Sequence, residues 1–529
     1  MGAHVVVDGG LSWKRGSPLL DILSGFSPPP RAAAPHGRVL RGAATAAHRV
    51  VAPTHMHEEE AMTRPAQTAQ HPRSGRPPSG LHYSWVIVGI LVVVQVIGSA
   101  ISQSAGVMVP PLRDPHGDFG WGIGTIGALL AVYYLVGALF APISGWLGER
   151  YGARRLMLAG GLLYGSSMVL LGLVRQPWHF LVTFSVLLSL TQSICLVPLI
   201  AAVSGWFRRR LGLATGILWA AGGLGAAGLA PLVGALMDHL GWQGTFWSLG
   251  VVGGSLLLSL TLLFRNRPAD LGLTPYGATA DDPPPVVRSP ALERLRRQVF
   301  MQHMRRTRAF WHLPLIHGLG CAGHGIVLIY VVPLAVERGL TLVAASVILS
   351  LIAVWSIGGR LLTPIVAERS GGKPIMATAL VIQGLTVPVL WWAHDAWTFY
   401  LFGSLFGIGF GGEMSAYLVV NRQYFGTGPT STLYGFEMMG ALLGHAVATG
   451  LAGLVLYLTG SFLLILVLSM ACSLVGMLVI LRLESSARVL IPHWEASLPP
   501  EAQSLLTHAV PRTQCAETRG PAQTPVVEL

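Results

Sequence analysis

The sequence contains little charge, almost no lysine and few cysteines. Only 11% of its 529 residues are Asp, Glu, Lys or Arg, against roughly 25% in typical soluble domains. The four cysteines show no paired spacing that a disulfide framework or a metal site would need, and are interpreted as small apolar side chains. No nucleotide-binding loop or nucleophile–base pair is evident. We therefore expect no enzyme activity, no ATP-driven activity, no cofactor and no metal.

Apolar residues dominate the chain instead. The hydrophobic fraction is 52% and the mean hydropathy is +0.58, which indicates a polytopic membrane protein surrounded by membrane lipid. The formal net charge of +12 does not indicate a nucleic-acid partner, because the arginines lie between apolar runs. In those loops they orient the chain in the membrane.

Twelve apolar runs are long enough to be transmembrane helices. Each is close to the about 20 residues that cross a bilayer, too long for barrel strands, and a helix satisfies its own backbone hydrogen bonds in lipid. The predicted fold is therefore all-α and polytopic, with twelve transmembrane helices. The predicted runs are Trp85–Gly106, Gly122–Ser144, Leu156–Val174, Phe180–Val203, Leu213–Leu236, Phe246–Phe264, Trp311–Val336, Leu342–Val366, Ile375–Ala393, Trp397–Val420, Thr432–Tyr457 and Phe462–Leu481.

A charged turn between the second and third runs is repeated between the eighth and ninth. The sequences are Glu149-Arg150-Tyr151-Gly152-Ala153-Arg154 and Glu368-Arg369-Ser370-Gly371-Gly372-Lys373. The pair Trp206-Phe207 recurs as Tyr424-Phe425 in nearly the same register. Because parallel repeats of this kind are a known transporter design, we predict two pseudo-symmetric six-helix bundles.

Five segments make up the predicted organisation. Residues 1–82 form a disordered tail, in which Met56 or Met62 is an equally good start codon. Residues 83–264 form the first bundle, 265–310 a linker, 311–482 the second bundle and 483–529 a C-terminal tail. The linker segment Glu293 to Arg308 is expected to be a basic amphipathic helix on the membrane surface or a solvated connection.

Basic residues crowd alternate loops and predict the orientation. One side has Arg150, Arg154, Arg155, Arg208, Arg209, Arg210, Arg369, Lys373 and Arg422, and the other has only Arg113, Arg175 and Arg338. The basic side is predicted to be cytoplasmic. The protein is then a multi-pass protein of the cell membrane with both termini and the linker in the cytoplasm.

The loop between the second and third spans resembles the signature loop of the major facilitator superfamily. Its matching residues are Gly145, Glu149, Arg150, Gly152, Arg154 and Arg155. The block Trp206 to Arg210, followed by Gly212 to Ile217, resembles the monocarboxylate and oxalate/formate transporter branch. The resemblance implies that these loop residues, with Glu368 and Arg369 of the second copy, act as a cytoplasmic gate between the halves. The alternative is that the charges only set topology.

Three ionisable residues lie inside predicted spans: Arg360, Glu413 and Glu437. A charge in such a position is expensive and is a functional-site hypothesis by default, with a neutralised structural pair as the alternative. Each lies at a similar depth from the basic side, so the three are predicted to share a layer and to be able to meet. One of the two glutamates would be the proton-coupling group.

Arg360 resembles the eighth-span arginine that binds the substrate carboxylate in monocarboxylate and oxalate transporters. Its guanidinium suits a carboxylate, since the two can form parallel hydrogen bonds. Ser356 replaces the aspartate of the proton-coupled carriers, and no lysine lies in a span. A single positive charge in the spans favours a monoanion over a dianion.

Several uncharged polar residues complete the predicted cavity. His324, Gln95, Gln103 and Gln192 are predicted substrate-binding residues, and His445 is a further candidate for proton coupling. A lone histidine is more often a packing residue. The predicted function is secondary active transport of a small organic anion, coupled to protons. The alternatives are an anion exchanger, a facilitator for another small solute, or a sensor that uses a transport fold.

The predicted orientation can be tested by cysteine labelling in intact cells, in a background without native cysteines. Cysteines introduced at Asp238 and His394 should react with a membrane-impermeant maleimide from outside, because they lie in loops poor in bases. A cysteine at Arg209 should react only after permeabilisation. The reverse labelling pattern would overturn the orientation.

Overall fold

A computed structural model describes residues 81–113, 119–279, 290–500 and 502–503. The predicted tail 1–82 lies almost wholly outside these residues, as does the end of the C-terminal tail. Within the described residues the secondary structure is helical, with no β-strand. The all-α prediction is confirmed.

Five helices form the first half. They are α1 Tyr83–Arg113, α2 Ile123–Tyr151, α3 Ala153–Gly172, α4 Pro177–Trp206 and α5 Leu211–Leu263. The segment Leu181–Leu188 of α4 is wound as a π-helix.

The fifth and sixth predicted spans are joined without a loop. Helix α5 runs through both, and its only described departure from helical backbone is Gly241, with φ 65° and ψ −177°. A positive φ is readily adopted by glycine and by few other residues. A single glycine therefore separates two spans that the hydropathy pattern placed about ten residues apart.

In the rest of the chain, as far as the structure describes it, eight helices of two turns or more follow. They are α6 Pro290–Arg305, α7 Arg308–Glu337, α8 Leu342–Ser370, α9 Gly372–Thr386, α10 Ala396–Ser415, α11 Tyr417–Phe425, α12 Ser431–Thr459 and α13 Phe462–Leu481. A one-turn helix, Val389–Trp392, extends α9. The predicted span Trp397–Val420 is divided at Ala416 between α10 and α11.

The described part of the chain contains nine helices that are long and apolar enough to cross a membrane. Two shorter apolar helices, Tyr83–Gly98 and Leu211–Gly225, lie where the first and fifth spans are predicted. Helix α10 occupies the place of the tenth. These helices agree with a polytopic fold of twelve spans.

Helix α6 corresponds to the predicted amphipathic linker segment, and its apolar face packs on the protein itself. Phe300 is fully buried, and its ring centroid lies 5.0 Å from that of Trp494 in the C-terminal segment. Arg296 forms an ion pair with Glu495 and also lies over the Trp494 ring. The linker and the C-terminal segment are therefore packed together.

Glycines bring α8 and α10 into backbone contact. A Cβ on Gly359 would collide with the carbonyl oxygen of Ile408 and lie 2.9 Å from the nitrogen of Gly412. A Cβ on Gly411 would collide with the carbonyl of Ser356. Small residues at such crossings allow the close packing that stabilises membrane helix pairs.

The neighbouring residues Gly358 and Gly359 provide a matched test of this contact. Gly359→Ala should lower the apparent Tm of the purified protein, because overpacking costs about 1–3 kcal/mol. Gly358→Ala should leave Tm unchanged or raise it, because a Cβ there meets nothing within 4 Å and alanine favours a helix by about 1 kcal/mol. Equal Tm values for the two variants would contradict the packing argument.

Candidate functional site

The two halves meet at the end of the molecule that carries the repeated charged turns, which we call the motif end. Glu149, near the C-terminus of α2, lies against the N-terminus of α12. Its Oε1 accepts a hydrogen bond of 2.8 Å from the backbone nitrogen of Thr432. The first N–H groups of a helix lack partners within it, and a carboxylate there also interacts favourably with the helix dipole. Glu149 therefore acts as a cap supplied by the opposite half.

Glu368, at the same place in the second copy, makes the corresponding contact. Its two carboxylate oxygens accept hydrogen bonds from the backbone nitrogens of Leu211, at 3.1 Å, and Gly212, at 2.8 Å. These groups begin α5 in the first half. Each copy of the motif therefore caps a helix of the opposite half.

In each copy two helix backbones come into close contact at a glycine, but the glycine belongs to the motif helix in one copy and to the facing helix in the other. In the first, Gly145 of α2 faces the carbonyl of Ser431 in α12. In the second, Pro364 stands at the position equivalent to Gly145, and Gly212 of the facing helix approaches the Pro364 carbonyl. Each contact requires that one of the two facing residues has no side chain, and that residue can be on either helix.

The basic residues of the first copy, by contrast, make their described contacts within the first half. Arg154 donates from Nε to the carbonyl of Thr261 at 2.9 Å, and its backbone nitrogen donates to Asn266 at 2.8 Å. The Arg150 guanidinium lies 5.1 Å from the ring centroid of Trp146. These contacts give no support to an acid–base latch between the halves.

The other predicted gate residues have simpler positions. Gly152 adopts φ 85° beside Asn266, in the tight turn between α2 and α3. Arg155 is exposed. Arg369 lines a cavity of about 520 Å³, together with Arg210 and Glu368.

Arg422 makes a contact between the halves at the motif end that the sequence did not predict. Its Nη1 donates to the carbonyls of Ser204, at 2.8 Å, and Phe207, at 3.3 Å, at the C-terminus of α4. A cation at a helix C-terminus is favourable for the same reason that an anion is at the N-terminus. In the sequence it was visible only as one of the bases that predict orientation.

Arg360 is a partly buried residue of α8 whose side chain lies against α5. Its guanidinium carbon is 5.2 Å from the ring centroid of Phe410, and its Nη2 is 3.9 Å from the sulfur of Met414. A Cβ on Gly223 of α5 would stand 3.1 Å from Nη1. Among the described residues Arg360 takes part in no ion pair.

The predicted meeting of Arg360 with the two glutamates is not found. Glu413 is fully buried and accepts a hydrogen bond of 2.8 Å from the Tyr417 hydroxyl. Glu437, also fully buried, accepts one of 3.0 Å from Asn421. Depth along the helix was similar, but the three side chains extend from their helices in different directions.

His324 and His445 belong to a row of rings that we call the aromatic row. It consists of Phe410, His324, His445 and Tyr134. The successive centroid distances are 4.6, 5.8 and 5.8 Å. Since Tyr134 belongs to α2, the aromatic row joins Arg360 in the second half to the first half.

The predicted glutamines lie in the first half. Gln95 is buried and packs on Gly222, the residue before the glycine that faces Arg360. Its Oε1 has no hydrogen-bond partner in the described part of the chain. Gln192 accepts a hydrogen bond from the Tyr133 hydroxyl. The side chain of Gln103 lies outside the described residues.

A two-part helical membrane protein with a partly buried arginine between its halves, which has no ion pair among the described residues, fits the class of carriers. The family comparison agrees with this class. The sequence model of the Major Facilitator Superfamily matches residues 88–386, more than half of the chain. The chain therefore belongs to the Major Facilitator Superfamily. It is a membrane transporter and not an enzyme.

Curated relatives specify the branch. The chain is 26% identical to human monocarboxylate transporter 11 over 87% of this chain and 94% of that protein. It is 24% identical to human monocarboxylate transporter 2 over 75% of this chain and 84% of that protein. The predicted resemblance to the monocarboxylate branch is confirmed.

Solved structures confirm the fold. The Major Facilitator Superfamily transporter FucP in its outward conformation has a TM-score of 0.58 at 13% identity, covering 75% of this chain and 99% of FucP. A bacterial homologue of the iron transporter ferroportin gives 0.55 at 15% identity, covering 75% and 98%.

The caps at the motif end can be tested one at a time by hydrogen–deuterium exchange. Glu149→Ala should speed exchange in the first turn of α12 about fivefold, because a helix cap is worth about 1 kcal/mol. It should leave the first turn of α5 unchanged, and Glu368→Ala should give the converse. Arg154→Ala is the control, since its described contacts stay within the first half. Equal changes at both helices would rule out separate caps.

Proposed function

We propose that this protein is a secondary active transporter of a small monocarboxylate, with Arg360 as the group that binds the carboxylate. The observation that carries the proposal is the guanidinium at the junction of the two halves, which forms no ion pair with any residue that the structure describes. Burial of an isolated ion costs several kcal/mol. An incoming carboxylate would supply the missing counter-charge, and the bidentate geometry of Arg suits it.

The surroundings of Arg360 support a small substrate with one charge and an apolar body. Phe410 and Met414 contact the guanidinium, and Gly223 leaves room beside it. With one cation and no lysine in the predicted spans, a second carboxylate would have no partner. The relatives named monocarboxylate transporters agree with this substrate class. Gln95 would line the same space through the neighbouring Gly222.

Proton coupling is assigned to the histidines of the aromatic row. A proton on His324 would be repelled by Arg360, which is close enough for their charges to interact. A bound carboxylate would remove that repulsion, so the anion would favour the proton and, by linkage, the proton would favour the anion. His445 would share the proton. Glu413 and Glu437 have no such described contact with Arg360, so they are the second choice.

Alternating access would use the caps at the motif end. The halves are held together there by Glu149, Glu368 and Arg422. Opening this end would break these contacts, and the loop charges would then have to be hydrated. With the motif end in the cytoplasm, as the positive-inside rule predicts, this arrangement is closed to the cell interior.

Uptake of a radiolabelled monocarboxylate such as lactate into proteoliposomes tests the binding site, within a screen of small carboxylates. Arg360→Lys should lower initial uptake at least about tenfold, because lysine keeps the charge but loses one of the two parallel hydrogen bonds, and a hydrogen bond to a charged group contributes about 1.5–3 kcal/mol. Arg175→Lys, the same change at an exposed position, should retain wild-type uptake. If the Arg360→Lys variant takes up each acid at the wild-type rate, Arg360 does not bind the carboxylate.

The same vesicles test the coupling. With an inwardly directed proton gradient, His324→Gln and His445→Gln should lose accumulation above equilibrium but retain exchange of labelled for unlabelled substrate. Glu437→Gln should keep its pH dependence. If only Glu437→Gln loses accumulation, the carboxyl group is the coupling site, and if the wild type shows no pH dependence, the protein is a facilitator or an exchanger.

A further inference from the structure

A buried cluster of three side chains lies in the second half, next to His324 of the aromatic row along α7. His317 and Cys321 are on α7, and Glu413 is on α10. Their potential ligand atoms, a ring nitrogen, the sulfur and a carboxylate oxygen, all lie within 4.8 Å of one another. His317 and Glu413 are 0% exposed and Cys321 is 4% exposed. We infer that His317, Cys321 and Glu413 form a binding site for a divalent metal ion of the zinc class.

The backbone explains why the three side chains converge. His317 and Cys321 are four residues apart, so they lie on the same face of α7. Gly320 lies between them, and a Cβ there would stand 2.5 Å from the carboxyl carbon of Glu413. The glycine therefore allows Glu413 to approach α7 between the two other ligands.

Several buried atoms of the cluster lack a hydrogen-bond partner among the described residues. Glu413 Oε1 accepts from the Tyr417 hydroxyl at 2.8 Å, whereas Oε2 is buried with no hydrogen-bond partner among the described residues. Neither ring nitrogen of His317 has a partner with hydrogen-bond geometry there, although the Glu437 backbone lies close by. Buried polar atoms without partners cost about 1–3 kcal/mol each. A cation at the centre would satisfy them together.

Groups around the cluster contact the proposed ligands and fix their orientation, as the residues next to the ligands do at metal sites. The ring of Tyr417 stacks on His317 with centroids 4.1 Å apart, and the hydroxyl of the same residue donates to Glu413 Oε1. Metal-binding histidines and carboxylates are commonly held by such contacts. One tyrosine therefore orients two of the three proposed ligands.

Charge and donor type select the ion. A thiolate and a carboxylate together carry two negative charges, which a divalent cation neutralises, so the occupied site needs no further charge in the low-dielectric interior. Nitrogen, sulfur and oxygen are the donor atoms of zinc sites, and three protein ligands leave one coordination position open. Mg²⁺ and Ca²⁺ prefer oxygen ligands alone.

The purified full-length protein can be tested with Co²⁺, which reports a thiolate ligand by a charge-transfer absorption band, and with Zn²⁺. The wild type should show the band and retain about one Zn²⁺ per chain after dialysis. Cys321→Ser should lose the band and most of the bound Zn²⁺. The matched control is Cys195→Ser, which removes a buried cysteine in the first half and should keep both.

Thermal stability gives a second readout that separates binding from misfolding. Saturating Zn²⁺ should raise the Tm of the wild type and of Cys195→Ser by mass action, but not that of Cys321→Ser or Glu413→Gln. Histidines outside the cluster, such as His55 and His57, can also bind metal. The proposal is therefore overturned if the wild type shows no thiolate band, or if Cys321→Ser retains the band and the Zn²⁺ content.

Discussion

The constraint on which the structure depends is the cost of a charge inside a bundle surrounded by lipid. Such a charge needs a partner, a helix end or water, and otherwise costs several kcal/mol. The acids of the repeated turns are placed at helix N-termini of the opposite half, and Arg422 is placed at a helix C-terminus. Charge compensation and contact between the halves are thus achieved by the same residues. Arg360 has neither a helix end nor an ion pair among the described residues, and for that reason it is the proposed substrate-binding group.

The two halves satisfy the same geometric requirement in different ways. Each contact at the motif end brings two backbones together, so one of the two facing positions has to lack a side chain. The first half uses Gly145 on the motif helix, and the second uses Gly212 on the facing helix opposite Pro364. A comparison of the motif sequences alone suggests that the second copy is degenerate. The facing helix shows that the contact is retained.

Prediction from the sequence succeeded where the physical signal is local. Apolar runs predict spans because each residue in lipid adds its transfer free energy independently of its neighbours. The partly buried Arg360 was identified in the same way, as a charge in an apolar run. The join at Gly241 and the break at Ala416 were missed, because a turn that needs one glycine leaves no polar segment to detect. That Arg360 and the two glutamates could meet was inferred from depth alone, and the contacts described for Arg360 include neither glutamate.

The amino-acid sequence by itself determined the class of protein, the repeat and the residues of the motif end, since hydropathy, spacing and charge are properties of short segments. Only the tertiary structure decided which groups meet. His317 and Cys321 are four residues apart on α7, but Glu413 comes from α10, far along the chain, and no sequence spacing predicts that it meets them. Whether Glu413 faces Arg360 or α7 depends on the rotation of α10 about its axis. That rotation is set by close backbone contacts such as Gly411 on Ser356, which belong to the packed bundle and not to any single segment.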